Sequence, residues 1–182
     1  MGCQWLNRVL IHILVMKMHL TELVRSLAKR TRVWRENAVK ALNEAGCNDL
    51  HYRPDSGMSS LGWILAHQAA VYDYTLNVLI RSQSAKKPDL LDLYAPGTDG
   101  AWEGTSRQEI EDYYDSGERD FLAWVENAKV SDFARVLKGD CIPKLFRRMR
   151  VVDVIANAFV HLNHHNGHLS AINGDWRRRQ RK

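Results

Sequence analysis

The sequence predicts an all-α fold, a four-helix bundle with long crossover connections. Three observations predict it. Apolar residues recur at three- and four-residue steps through four long stretches. Strands alternating with helices are absent from the pattern, as is any internal repeat. Segments rich in Gly and Pro separate the stretches, and one of them is too long for a tight bundle turn. At 182 residues the chain is about one domain long, enough for a single buried core.

The first helix is expected from about Leu20 to Ala45, with Leu20, Leu23, Val24, Leu27, Val33 or Trp34, Ala38, Ala41 and Leu42 as its inner stripe. Gly46 stops it. The link that follows carries the turn formers Pro54, Asp55 and Gly57, and Ser59 or Ser60 is placed to cap a second helix ending near Ser82. From there to Thr105 runs a loop with Pro88, Pro96, Gly97, Gly100 and Gly104 that implies a long crossover. Ser106 followed by Glu109 reads as a capping box opening a third helix, Ser106 to Ala128. Its inward residues are Ile110, Tyr113, Tyr114, Phe121 and Val125, and Gly117 admits a close helix neighbour. The link from Lys129 to Arg150 offers an extended piece at Lys144 to Arg148. The last helix starts at Val151, with Val154, Ile155, Ala158, Phe159, Leu162, Leu169 and Ile172 on one face.

Residues 1–17 are hydrophobic but interrupted by Arg8 and His12, too short for a spanning helix and without a cleavage pattern. Gly2 lacks the hydroxyl residue that myristoylation requires. These residues are read as an extension, 18–176 as the bundle and 177–182 as a basic tail. The net charge of +5 resides in that tail, because Arg177, Arg178, Arg179, Arg181 and Lys182 leave a formally neutral body. A neutral body argues against nucleic-acid binding, which calls for a basic footprint on a folded surface. The tail is expected to be a solvated, mobile terminus. Cys3, Cys47 and Cys141 are odd in number and contain no C-x-x-C pair, so neither a disulfide framework nor a cysteine zinc site is expected. A reducing, cytoplasmic setting follows as the expectation.

Histidine carries the chemistry. Four of the eight histidines, His161, His164, His165 and His168, crowd into one run of the last helix. Two pairs have the four-residue spacing that lets both imidazoles reach one ion. At roughly 100° per residue His165 falls inside the apolar stripe and His161 at its margin, while His164 and His168 turn toward the polar side with Asn157 and Val160. His161 and His165 are therefore the candidate ligands. A third must come from another helix, and His67, in the apolar second helix, is the best placed; His12, His19 and His51 lie in weaker contexts. No Asp or Glu sits in the inward register beside His161 or His165, against a two-histidine, one-carboxylate site. Asp73 is either an acceptor for an imidazole N–H or, the preferred reading, a residue on the polar flank of the second helix.

Two segments, RPDSGMSSLGWILAHQAA and HLNHHNGHLSAI, resemble those around the ligand histidines of the DinB-like family of metal-dependent bundle proteins. The resemblance runs in helix order from about Met18 to Trp176 and is only general in the first and third helices. It maps the family's three ligands onto His67, His161 and His165. Where the family often has Arg before the motif's Gly this chain has Asn166, and where Gln is frequent after it His168 stands. His164, His168 and Asp73 are left as candidate partners behind the ligands. The resemblance implies a divalent ion, zinc, nickel or iron, and similar proteins include thiol-dependent transferases, a mycothiol-dependent isomerase and metal-binding domains of ergothioneine sulfoxide synthases. Dimers are frequent among them.

Three neutral imidazoles leave positions open on an ion, the catalytic rather than the structural arrangement. Such an ion lowers the pKa of a bound water from ~15.7 toward ~7 and deprotonates a bound thiol. The expected function is a metal-dependent transferase or hydrolase acting on a small molecule, with a low-molecular-weight thiol as a candidate partner. The alternative is a non-catalytic, metal-stabilised binding or stress-response protein.

Overall fold

The computed structural model describes residues 2–55, 57–139 and 142–181, with side chains from residue 11 onward. Cys3, Cys141 and Lys182 therefore lie outside the described side chains. The elements are α1 (Gly2–Glu44), α2 (Leu61–Asp73) continued by a π-helical stretch (Tyr74–Ile80), α3 (Pro88–Leu93), α4 (Arg107–Asn127), α5 (Val130–Ala134) and α6 (Val151–Arg179). No β-strand occurs among the described residues; Val136 and Arg150 form an isolated antiparallel bridge.

The four long helices pack in a ring in which α1 touches α4 and α6, and α2 touches the same two. Side-chain pairs give the directions. Thr31 meets Asn163 while Ala45 meets Trp176, so α1 and α6 run parallel. Arg25 pairs with Glu126 and Arg35 with Glu111, so α4 opposes α1. Trp63 faces His165 and His67 faces His161, so α2 opposes α6. The order is up, down, down, up. Two neighbours running the same way, α2 and α4, cannot be joined by a tight turn, and residues 81–106 supply the crossover.

Local chemistry explains the boundaries. Ser60 caps α2 by accepting from the Trp63 amide at 3.2 Å. Ser106 and Glu109 form the expected reciprocal capping box of α4. Gly117 lets α4 approach α2 closely, since a Cβ there would lie 3.1 Å from the Tyr72 Cβ. The five inward residues expected for α4 are all buried.

Four expectations need correction. First, α1 starts well before Leu20, because residues 3–45 contain neither Gly nor Pro to interrupt it. From residue 11 onward its first buried side chain is nonetheless Val24, and Ile11, Leu14 and Met18 stand exposed. Second, the inner stripe is Val24, Ala28, Thr31, Arg35, Ala38 and Leu42; Leu23, Val33 and Trp34 face outward. Arg35 can occupy a core position because its Nη1 donates to Glu111 at 2.7 Å and its guanidinium lies over the Tyr114 ring. Third, residues 144–148 form turns rather than an extended piece. The Phe146 amide donates to the Pro143 carbonyl at 2.9 Å, closing the chain on itself. Fourth, Arg177–Arg179 are the last turn of α6 rather than a mobile tail. Arg179 donates to Asp175 at 2.8 Å and to the Pro54 carbonyl, and its positive charge suits a helix C-terminus.

Among the described residues no helix is long and apolar enough to cross a membrane. Cys47 is buried and unpaired, and burial pushes its thiol up to about 11.

Candidate metal centre

The site forms where α2 and α6 cross. His67 projects from α2, His161 and His165 from successive turns of α6, and their ring nitrogens all lie within 4.8 Å of one another. His67 Nε2 is 2.7 Å from His161 Nε2, and His165 Nε2 is 3.2 Å from the same atom. Three nitrogens held at roughly 2.0–2.1 Å from one ion sit roughly 3 Å apart. The donor set fits a divalent ion in both spacing and chemistry.

Protonation points the same way. The Nδ1–H of His67 donates to the Tyr94 carbonyl at 2.5 Å, which leaves the Nε2 lone pair facing the other two rings. Burial lowers His67 to about 4, against the pull of the Tyr94 carbonyl, and lowers His165 to about 2. Burial also lowers His161. All three are therefore neutral at pH 7, the form in which imidazole ligates. Trp63, one turn before His67, stacks on its ring at 4.5 Å between centroids and 11° between planes, fixing its orientation.

An amide pair next to the rings sets the register of the helices. Gln68 Nε2, adjacent to His67, donates to Asn166 Oδ1 at 2.8 Å and to the Leu162 carbonyl at 3.2 Å. Asn166, adjacent to His165, in turn donates to the Thr31 carbonyl at 3.2 Å. Both amides are buried, and a sliding of α2 against α6 would break these bonds and part the histidines together. Neither residue was singled out as functional by sequence reasoning. The available signal was a Gln inside an otherwise apolar helix, directly beside a candidate ligand.

The remaining candidates are not among the three clustered rings, though His164 and His168 pack against His165. His164 is exposed and stacks edge-on against His168 at 4.3 Å, with the His168 ring 5.2 Å from that of His165. Asp73 is neither at the surface nor bonded to an imidazole: it is buried and accepts from Tyr113 Oη at 2.5 Å, Asn77 Nδ2 at 2.6 Å and the Lys86 and Lys87 amides. Its role is to anchor the start of the crossover to α2 and α4. The acceptor behind His67 is instead a backbone carbonyl, that of Tyr94, which no side-chain pattern encodes.

A cavity of about 400 Å³ opens beside the cluster, lined by His67 and His161 and by residues of α2, its π-helical continuation, α3, the 145–146 turn and α6. Tyr94 borders it; Trp102 packs behind, with its ring 5.8 Å from that of Tyr94 and over Gly62. The π-helical stretch contributes Tyr74, Thr75 and Leu79 to the lining.

No curated protein matches the chain. A family model described as the DinB superfamily matches residues 30–169, which include all three clustered histidines and well over half of the sequence, and the chain belongs to that superfamily.

Proposed function

We propose that the protein binds one divalent ion, zinc, nickel or iron, through His67, His161 and His165. We further propose that it acts as a cytoplasmic metal-dependent transferase or hydrolase on a small molecule, a low-molecular-weight thiol or water being the nucleophile. The observation that carries the reading is the cavity that opens directly onto two of the three rings. A purely structural ion calls for a closed shell with no room beside it; a cavity of this size is within the range of small-molecule sites, roughly 300–1,000 Å³.

A divalent ion so held supplies Lewis acidity, activating a water or a thiol at neutral pH. The chain's own residues do the rest. Tyr94 fixes the tautomer of His67, and Trp63 fixes its plane. Gln68 and Asn166 hold the two ligand-bearing helices in register. Apolar side chains, among them Val71, Leu79 and Val154, line the space beside the rings and limit water there.

Metal analysis of protein purified without chelator tests the first step. One equivalent of ion is expected in the wild type and none in the His67→Ala, His161→Ala, His165→Ala triple variant, with circular dichroism confirming that the variant is helical. Undiminished metal in the variant refutes the site. A conjugation and hydrolysis screen on small electrophiles, with and without chelator, tests the second step; turnover insensitive to chelation refutes the metal-dependent enzyme.

A further inference from the structure

We infer that the cavity beside the histidines is built for an uncharged, largely apolar molecule of two to three aromatic rings, and that its walls discriminate against anions. The inference rests on the proposed function in taking this cavity as the seat of the substrate.

The walls carry the first part of the argument. From Val154 to His161 the cavity follows two turns of α6, about 10 Å at ~1.5 Å per residue. Across from them stand Val71, Leu79, Leu91 and Phe146, all apolar. Phe146 meets the Tyr74 ring edge-on at 6.2 Å, which makes an aromatic corner suited to another ring.

The charges carry the second part. Among the described lining residues there is no Lys or Arg. Arg147, next in sequence to Phe146, directs its Nε to the Ile142 carbonyl at 2.8 Å. The charged lining side chain is Asp92, which is exposed and therefore stands at the mouth. Away from the ion proposed at the histidines, an anion here loses hydration with no cationic side chain to receive it and passes a negative charge on the way in. The polar groups on offer are neutral. The Tyr74 hydroxyl and the Asn157 amide line the cavity and make no hydrogen bond among the described residues, so each is free to bond a single hydroxyl, carbonyl or amine of an otherwise apolar guest.

Two fluorescent dyes that differ by one charge test this on chelator-stripped protein, where the walls alone set the preference: N-phenyl-1-naphthylamine, which is neutral, and its sulfonated counterpart 8-anilino-1-naphthalenesulfonate. The neutral dye is expected to bind at least tenfold more tightly. Ala158→Leu, which fills the cavity from α6, should weaken the neutral dye at least tenfold. Asn157→Arg, at an exposed position that tolerates a long side chain, should shrink the preference for the neutral dye at least fivefold by supplying the missing cation. Equal or tighter binding of the anionic dye to the wild type overturns the inference, as does failure of the neutral dye to bind or its undiminished binding to Ala158→Leu. A parallel zinc titration of stripped protein separates the two readings. Absence of zinc binding with the neutral-dye preference intact removes the proposed function but leaves the cavity's selectivity; normal zinc binding with the anion preferred does the reverse.

Discussion

Acidifying chelator-stripped protein should expose the burial of the histidines as a loss of stability. In the unfolded chain His67 and His165 titrate near the ordinary ~6.5. In the fold, burial lowers His67 to about 4 and His165 to about 2. A histidine whose folded pKa is depressed contributes full stability above its unfolded pKa and loses it as pH falls, because only the unfolded state takes up the proton. Between pH 8 and pH 5 each site thus loses about 1.5 pH units' worth at ~1.36 kcal/mol, roughly 4 kcal/mol for the two. That is a large part of the ~5–15 kcal/mol of a typical domain. His161 shifts in the same direction. Asp153 and Asp175 are held below the usual carboxylate range, so they lose stability only under more acid conditions and leave this window clear. Urea unfolding of chelator-stripped protein at pH 8, 6.5 and 5, followed by circular dichroism, measures the effect. The His67→Leu, His165→Leu double variant should remove the larger part of the dependence, leaving what His161 and His168, which burial also lowers, still carry. A wild type equally stable at pH 8 and pH 5, or a double variant that loses as much as the wild type, refutes the reasoning.

Three further outcomes follow from the packing. Gln68→Leu deprives the Asn166 Oδ1 and the Leu162 carbonyl of their donor and should destabilise stripped protein by about 1–3 kcal/mol in urea; saturating zinc, which on the proposed ligation would join the same two helices, should restore about 3 kcal/mol at a hundredfold excess over Kd. Gly62→Ala places a Cβ 2.4 Å from Trp102 Cε3, so it should displace that ring from Tyr94, shift the tryptophan emission and destabilise by about 1–3 kcal/mol despite the helix propensity gained. Glu111→Gln leaves the buried Arg35 without its anion and should cost about 3 kcal/mol, whereas Arg35→Met, which removes the charge along with the need for a partner, should stay within about 1 kcal/mol of wild type by thermal melting.

How far the molecule was readable from its residues depends on whether burial is set by period or by partner. The faces of α4 and α6 are set by period: Ile110, Tyr113, Tyr114, Phe121 and Val125 recur at helical steps and are buried together, and the phase of α6 separates His161 and His165 from His164 and His168. The inner face of α1 is set by partners. Arg35 enters the core only because Glu111 and Tyr114, on another helix, receive it, while Trp34 remains half outside. Asp73 is another such case, its buried carboxylate depending on Tyr113 and on amides of the crossover that no local pattern connects to it. The carbonyl of Tyr94 is the extreme: a backbone atom in a loop, present at every residue and informative only once the loop is folded against His67.

These two kinds of burial meet at the candidate metal centre, and that explains why buried amides are kept there despite their desolvation. An apolar seam between α2 and α6 alone would allow sliding by a turn, since ridges of Leu, Ile and Val accept more than one register. A sliding of one residue's rise, ~1.5 Å, is already enough to separate nitrogens that must stay roughly 3 Å apart. The Gln68 to Asn166 bond penalises every other register, because each leaves a buried amide without a partner at about 1–3 kcal/mol. Position in the chain makes the device local: each amide is the next residue after a ring that must be placed, so the bond that fixes the helices acts within one residue of the atoms that need fixing. Register specificity is thus supplied by the protein before any ion arrives, and the ion's binding energy is left for coordination rather than for assembling the bundle.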